Sequence, residues 1–430
     1  MSRQNVLVTG GTGFVGKAVL ARLVDQPLYD KIYLLVRPRR HQAPAERISE
    51  IVGRMFPPGR VTALRERIIP IAGDLTEPEL GISGDDRARL SADCHQILHV
   101  GASTDFGAPI EESRLYNVEG TRRVLELAAH LRDSGVLKRF DYVSTAYVAG
   151  CKPGLVTEET LERNQEFANN YERSKYEAEI LVRAYAKRLP TAIYRPSIVV
   201  GDSKNGYTPH FKVLYWPLQL LAKRDLLPFF ATNQNAFLDV VPVDFVADGL
   251  VALMQKPTTV GGTFHLTAGH GNELRVRQFL RDAYKLAGIK KRPIVPFWTF
   301  NVVWKTPLRR LFSDAFWEAA ELAKPYHTYL KGPKLRFKAD KTHALLRAAG
   351  ITAPSWEDYK REVLGFCVAS RWGRKLPMPE YAYYLPGSVQ PPTHASGRFE
   401  HGERERSPAG QEREAANGRH HAKPALAAQS

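Results

Sequence analysis

The first stretch of the chain constrains it most: Asn5-Val6-Leu7-Val8-Thr9-Gly10-Gly11-Thr12-Gly13-Phe14-Val15-Gly16. Val6 to Val8 are a short β-branched and aliphatic run of the kind that suits a buried parallel strand. Glycine then recurs at three-residue spacing, at Gly10, Gly13 and Gly16, and Lys17 to Val24 continue with apolar residues at helical spacing. In a strand–turn–helix unit these glycines have separate tasks. Gly10 permits the tight turn, Gly13 lets a pyrophosphate approach the backbone, and Gly16 lets the helix close on the sheet. The helix N-terminus then faces the phosphate. Thr12, Phe14 and Val15 fill the rest of the turn, so residues 10 and 12–16 are expected to contact a dinucleotide.

The second strand, Lys31 to Val36, runs into Arg37-Pro38-Arg39-Arg40. An NAD-binding chain places an acid there against the ribose 2′-hydroxyl, whereas arginine suits the 2′-phosphate of NADP. NADPH is therefore the expected cofactor, with Arg37 as the contact and Arg39 or Arg40 as helpers. A third strand, Arg67 to Leu75, ends at Asp74, which either reaches the adenine edge or caps the turn that follows. A fourth, His95 to Ser103, ends in Gly101 and Ala102, small enough for a cofactor to lie across. His95 and His99 share a strand face, a spacing that makes a metal pair on a helix and not on a strand, so no metal is expected.

A long helix over about 111–133 carries Asn117, and a fifth strand, Arg139 to Thr145, ends in hydroxyls. A helix from about Asn169 to Lys187 carries Tyr171 and Lys175, and a sixth strand runs from Thr191 to Gly201. Strict alternation to this point predicts an α/β fold, a Rossmann-type doubly wound parallel sheet. After about 203 the alternation breaks. A largely apolar helix is expected from Tyr215 to Phe230, a strand from Phe237 into a helix capped by Asp244, and helical, aromatic-rich chain over about 295–366. The expected organisation is a dinucleotide domain over 1–202 with sheet contributions from 237–270. A smaller, mainly helical substrate-binding region follows over 203–387, then a tail over 388–430 that is polar and poor in apolar residues, hence disordered.

Composition excludes several classes. Of 430 residues 43% are apolar, ample for a large core, yet no run approaches the ~18 of a membrane span. Met1 to Gln4 lead straight into a strand, so no signal peptide is read and a cytoplasmic location is the default. Cys94, Cys151 and Cys367 are too few and too far apart for a disulfide framework or a zinc site. The net charge of +16 suits nucleic acid, an anionic membrane or polyanionic ligands, but no nucleic-acid motif is present. Pro296 to Phe312 mix aromatics with cations, which fits either peripheral contact with a membrane or the wall of an apolar pocket.

Tyr171 and Lys175 stand one helical turn apart. A phenol with a pKa of about 10 is a poor acid at neutral pH; an ammonium nearby would stabilise the phenolate and bring it into range. Thr145, with Ser144 as the alternative, supplies a hydroxyl for the substrate oxygen. Together with the glycine turn, Ser144-Thr145 and Tyr171 to Lys175 resemble the extended short-chain dehydrogenase/reductase superfamily. Lys31 to Pro38, Gly73 to Pro78, Asn117 to Thr121, Val143 to Tyr147 and Arg195 to Val199 are similar to fatty acyl-CoA reductases and thioester-reductase domains. The resemblance covers about residues 5–270. It implies hydride transfer from NADPH to an acyl thioester, carried by coenzyme A or an acyl-carrier protein, giving an aldehyde and in some members an alcohol. It further implies that Thr145, Tyr171 and Lys175 act at the carbonyl, that Asn117 relays protons through water, and that Leu75, Pro196 and Ile198 also lie against the cofactor. Members of this fold often dimerise through the helices that bear Asn117 and Tyr171. The same residues also suit a reductase of sterols, ketones or nucleotide sugars, or a dinucleotide-binding protein without catalysis.

Overall fold

In a computed structural model the described residues are 3–161, 165–222, 229–322, 326, 328–329 and 335–375. The expected tail over 388–430 lies outside them. The alternating strands become β1 (Gln4–Thr9), β2 (Tyr29–Val36), β3 (Ile68–Ala72), β4 (Gln96–His99), β5 (Arg139–Val143), β6 (Thr191–Pro196) and β7 (Thr263–Leu266). They form one parallel sheet in the order β3-β2-β1-β4-β5-β6-β7. The strand order reverses at β1, and in doubly wound sheets the ligand crevice opens beyond the carboxyl ends at that reversal.

Side chains of β1 alternate between two apolar layers. Val6 and Val8 join Leu34 and Val36 under the helices Phe14–Leu23, Pro44–Met55 and Val243–Met254. Leu7 faces the other way with Tyr33, Ile97 and Phe140, under the helices Gly120–Asp133 and Asn170–Tyr185. Burial on both faces explains why these strands read as continuous apolar runs. Helix Val243–Met254 is apolar almost all round because the sheet and its neighbours enclose it.

Beyond β6 the chain forms short paired strands and helices around a separate apolar cluster that includes Leu218, Phe279, Trp356 and Tyr359. Val240–Pro242 runs parallel to Ile198–Val200, and Leu335–Phe337 parallel to Gly154–Val156. Several sequence expectations are corrected. The apolar helix from Tyr215 is described as far as Ala222, residues 223–228 lie outside the described residues, and Phe230–Ala231 is a strand paired with Ile294–Val295. Asp244 does not cap its helix, which begins after Pro242; its carboxylate accepts the Ser203 amide at 2.9 Å. A helix at Pro58–Arg67, with proline at its first turn, was not foreseen.

One buried polar network ties the sheet to its cover. Arg195 of β6 and Glu179 of helix Asn170–Tyr185 are both fully buried and pair at 2.6 Å. Arg183 reaches the same carboxylate at 2.9 Å and the Ser144 hydroxyl donates to it at 2.7 Å. Burial pushes the Glu179 carboxyl up, but Arg195 and Arg183 outweigh it and hold the group below the ordinary glutamate value. Removing one partner of such a pair leaves an uncompensated buried charge. Arg195→Met is accordingly expected to lower stability by about 3–5 kcal/mol, and Glu179→Leu together with Arg195→Met by less than either alone. Urea unfolding of the three variants measures both differences.

Candidate active site

The glycine turn is fixed by backbone contact. Gly10 has φ +71°, and a Cβ there would stand 2.6 Å from Cα of Gly101. A Cβ on Gly16 would stand 2.0 Å from the Gly10 carbonyl oxygen. The turn closes with Gly13 N–H donating to Gly10 O at 2.9 Å. Gly13 is also the N-cap of helix Phe14–Leu23, and no side chain caps it. The helix therefore presents its first amide groups and its positive dipole end to the crevice.

Behind the turn runs a chain of hydrogen bonds with a defined direction. Gly101 N–H donates to Thr9 Oγ1 at 3.1 Å, and Thr9 Oγ1 lies 2.6 Å from His99 Nδ1. His99 Nε2 lies 3.0 Å from Thr121 Oγ1, which donates to the Asn117 carbonyl at 2.6 Å. Thr121 spends its proton on Asn117, so His99 must donate from Nε2 and accept at Nδ1. Burial, and then Lys175, hold this imidazole down at about 3, so it stays neutral.

A cavity of about 740 Å³ lies across the strand ends. Every residue assigned above to cofactor or catalysis lines it, except Asn117 and Arg40. Among the basic residues after β2, Arg37 and Arg39 line it and Arg40 does not. Arg37 Nε pairs with Asp74 at 2.6 Å, and its guanidinium stands 5.2 Å from the Tyr116 ring centre. Asp74 also accepts the Thr76 amide at 2.9 Å, so it holds the turn and Arg37 together. Sequence reasoning missed Arg47, which donates to Thr12 Oγ1 at 3.3 Å and to the Arg37 carbonyl at 3.0 Å. It stands one turn into helix Pro44–Met55, and the signal available was its position ten residues after Arg37. Burial, then Arg39 and Arg37, lower its proton affinity, so three guanidinium groups crowd this end of the cavity.

At the other end stand Tyr171 and Thr145, whose hydroxyl donates to the Pro196 carbonyl at 3.4 Å and bears on the proton affinity of the phenol. Thr145 also accepts the Tyr147 amide at 3.3 Å, and Tyr171 stacks on Phe106 with ring centres 5.3 Å apart. Burial, with Glu172 adding to it, raises the Tyr171 pKa, and Thr145 opposes the rise. The expected support from Lys175 takes a different form. Its Nζ donates to the Val143 carbonyl at 2.8 Å and lies 4.3 Å from the Tyr142 ring centre. Burial lowers Lys175 to about 7, against a smaller rise from Glu179. The ammonium therefore supports the strand end, and its hydrogen bond goes to a backbone carbonyl rather than to the phenol.

Two further expectations change. The Ser144 hydroxyl is bound to Glu179, inside the Arg195 network, so Thr145 alone of the pair faces Tyr171. Asn117 is buried in a π-helical turn, Leu115–Glu119, within the long helical stretch 110–133. Such turns reposition side chains at functional sites. Its amide nitrogen donates to the Ser103 carbonyl at 3.1 Å and to Ser174 Oγ at 2.9 Å, and its oxygen accepts the Ser103 amide at 2.8 Å. Both amide protons are thus committed. Asn117 clamps the β4 loop to the helix of Tyr171 and has none to relay through water.

A cradle that any Cβ would fill, an open helix N-terminus and crowded guanidinium groups fit a phosphate-bearing dinucleotide. The fold and site together define a nicotinamide-dinucleotide oxidoreductase of the extended short-chain dehydrogenase/reductase class. Residues 8–250 match the model of the family described as Male sterility protein, and the chain belongs to that family. It is 29% identical over 348 residues to fatty acyl-CoA reductase 1 of Rattus norvegicus, covering 70% of this chain and 67% of the relative. It is 31% identical over 277 residues to the Homo sapiens protein of the same name, covering 57% and 53%. The chain thus spans about half to two thirds of the length of these curated relatives. Among solved structures, the terminal R domain of the myxalamid PKS-NRPS pathway superposes with a TM-score of 0.73 at 28% identity, covering 88% of this chain and 93% of that one. UDP-glucuronic acid 4-epimerase of Bacillus cereus, at 18% identity and a TM-score of 0.59, shares the fold.

Beside Tyr171, the Glu172 carboxyl accepts the Tyr329 hydroxyl and the Ala168 amide, and burial raises it from 4.5 to about 7. The folded chain therefore keeps a proton that the unfolded chain releases between those two values. Stability falls as pH rises through this window and levels off above it. Glu172→Gln removes that dependence, so the variant should gain on the parent between pH 5 and pH 7.5 in chemical unfolding.

Proposed function

We propose that the chain is an NADPH-dependent reductase of fatty acyl thioesters. One observation carries the proposal: the glycine cradle, the guanidinium cluster and the Thr145–Tyr171 pair line one cavity. Arg37, Arg39 and Arg47 would hold the 2′-phosphate, an anion that relieves their mutual repulsion. The open amides at Gly13 to Gly16 would hold the pyrophosphate, with Gly101, Ala102, Pro196 and Ile198 beneath the rest. When bound, the dinucleotide supplies a hydride.

Thr145 and Tyr171 line the same end of the cavity, where a thioester carbonyl oxygen would accept from Tyr171 and, once the Thr145 hydroxyl turns from the Pro196 carbonyl, from Thr145 as well. Negative charge that develops on that oxygen meets a donor already in place, which favours the transition state over the ground state. Tyr171 gives up its proton at Oη as the charge forms. Loss of the thiol from the resulting hemithioacetal leaves an aldehyde. Lys175, held by the Val143 carbonyl, keeps two N–H groups for the ribose hydroxyls. The acyl chain would run along Phe106, Tyr147, Leu214 and Tyr329 on the cavity wall. Each methylene buried there contributes about 0.8 kcal/mol, enough for chain length to dominate affinity.

Tyr171→Phe should lower kcat by about 10²–10⁴-fold with palmitoyl-CoA while NADPH affinity stays near that of the parent. Full activity in the variant refutes the assignment. Arg37→Asp should raise the Kd for NADPH about tenfold or more and that for NADH far less; fluorescence titration compares the two. Turnover of a sterol or nucleotide sugar with none of any acyl thioester would sink the substrate class.

A contact with an anionic membrane surface is part of the same proposal. No helix among the described residues is long and apolar enough to cross a membrane. Yet Trp298 is 65% exposed and Leu311 76%, with Val302 also exposed and Lys305, Arg309 and Arg310 around them. Such a mixture favours insertion at the headgroup boundary. Trp298→Ser with Leu311→Ser should abolish sedimentation with phosphatidylglycerol vesicles; unchanged sedimentation refutes this surface.

A further inference from the structure

Two further basic residues line the cavity and have no part in the reading above. Lys17 stands one turn into helix Phe14–Leu23, while His210 and Lys212 line the cavity from the loop over 201–214. Lys212 and Lys17 both bear on the charge of His210, after burial, and no carboxylate figures among the influences on it. Lys17 in turn feels burial first and then Arg47 and Arg54, with Glu50 as the opposing charge. Lys17 thus links the guanidinium end of the cavity to the loop.

The loop that carries His210 and Lys212 is held firmly. Gly206 has φ +70°, and a Cβ there would stand 2.0 Å from the Glu362 carbonyl oxygen. Its amide donates to the Asp202 carbonyl at 2.8 Å, and Ser203 is bound by Asp244 at 2.9 Å. The buried Thr208 hydroxyl donates to the His210 carbonyl at 3.0 Å. Next to Lys212, Val213 has φ +46°, costly for a β-branched residue. Strain of that kind persists where the surroundings over-determine a conformation, and it clusters at ligand clamps. Burial and the two lysines hold His210 below the ordinary imidazole value, and an anion bound at the cavity would favour its protonated form while meeting Lys212.

We propose that His210 and Lys212, with Lys17 as a neighbouring charge, form a second phosphate-recognition site, which takes a phosphate on the arm of a bound ligand. It is separate from the arginine cluster after β2 and lies on the loop side of the cavity. Two sources share this chemistry: the pantetheine phosphate of the thioester carrier, and the pyrophosphate of the dinucleotide. The first rests on the thioester reading above. A carrier bound through its phosphate would be positioned by a charged contact at one end and by the apolar chain at the other.

The test compares two thioesters of one acyl chain, palmitoyl-CoA and palmitoyl-N-acetylcysteamine, the second of which lacks phosphate. The double variant His210→Ala with Lys212→Ala changes two exposed side chains, and the fold should stand. If the carrier supplies the phosphate, KM for palmitoyl-CoA should rise about tenfold with kcat unchanged, and KM for palmitoyl-N-acetylcysteamine should not move. If the dinucleotide supplies it, the Kd for NADPH should rise instead and the two thioesters should change alike. Unchanged NADPH and palmitoyl-CoA constants overturn the site. Equal loss on both thioesters with NADPH affinity intact also overturns it. Turnover of neither thioester by the parent protein would refute the substrate class alone. Calorimetric titration of parent and variant with coenzyme A and with NADPH then decides the phosphate site, by a tenfold weaker Kd for one of them or no change in either.

Discussion

The close approach of backbone to backbone at the end of β1 organises the molecule. The Gly10 carbonyl lies where a side chain on residue 16 would otherwise be, and Gly10 itself lies against Gly101. Three chain segments therefore meet without side chains between them: the end of β1, the start of the first helix and the end of β4. Two consequences follow from this one steric fact. The helix N-terminus stands open at the crevice, and the strand order can reverse there with room for a ligand. Everything catalytic is then measured from this point, because β5 and its hydroxyls are the next strand along.

A polar framework as stringent as the apolar core holds the catalytic end. Ser144, Glu179 and Arg195 form one buried cluster with the half-buried Arg183 at its edge, and Asn117 and Ser174 form another with the half-buried Ser103. Between them they fix both ends of the space in which Thr145 faces Tyr171. Buried groups of this kind are costly when unpaired and strict in geometry when paired. Burial also explains why Tyr171 and Lys175 are shifted in opposite directions, since each is pushed towards its neutral form.

Much of this was legible in the residue pattern, for physical reasons. Glycine at 10 and 16 reports backbone contacts that no other residue tolerates, and the apolar runs of β1 and β2 report burial on two faces. The sequence also placed Arg37, Thr145, Tyr171 and Lys175 at strand ends or on a helix, where the fold gathers them. It could not assign partners. Ser144 and Thr145 are neighbours with the same chemistry, and only the turn after β5 sends one to Glu179 and the other to Tyr171. The resemblance implied a proton relay at Asn117, and nothing in the residue pattern marks the π turn that commits it to Ser103 and Ser174. Arg47 hid within a helix of mixed charge. After β6 the elements shorten to a few residues, and periodicity over so short a span carries little information.

The chain of hydrogen bonds through His99 has a polarity, and that polarity is a form of proofreading. Each member passes on one proton and takes one, from the Gly101 amide through Thr9, His99 and Thr121 to the Asn117 carbonyl. Such a sequence has one self-consistent orientation. Reversing a single hydroxyl would set two donors face to face and two acceptors back to back somewhere along it. A rotated imidazole at His99 would thereby be felt at both ends of the chain, the Gly101 amide and the Asn117 carbonyl. The ends of β1 and β4 and the π turn can consequently settle only in mutual agreement, and the geometry of the crevice is checked before any ligand arrives.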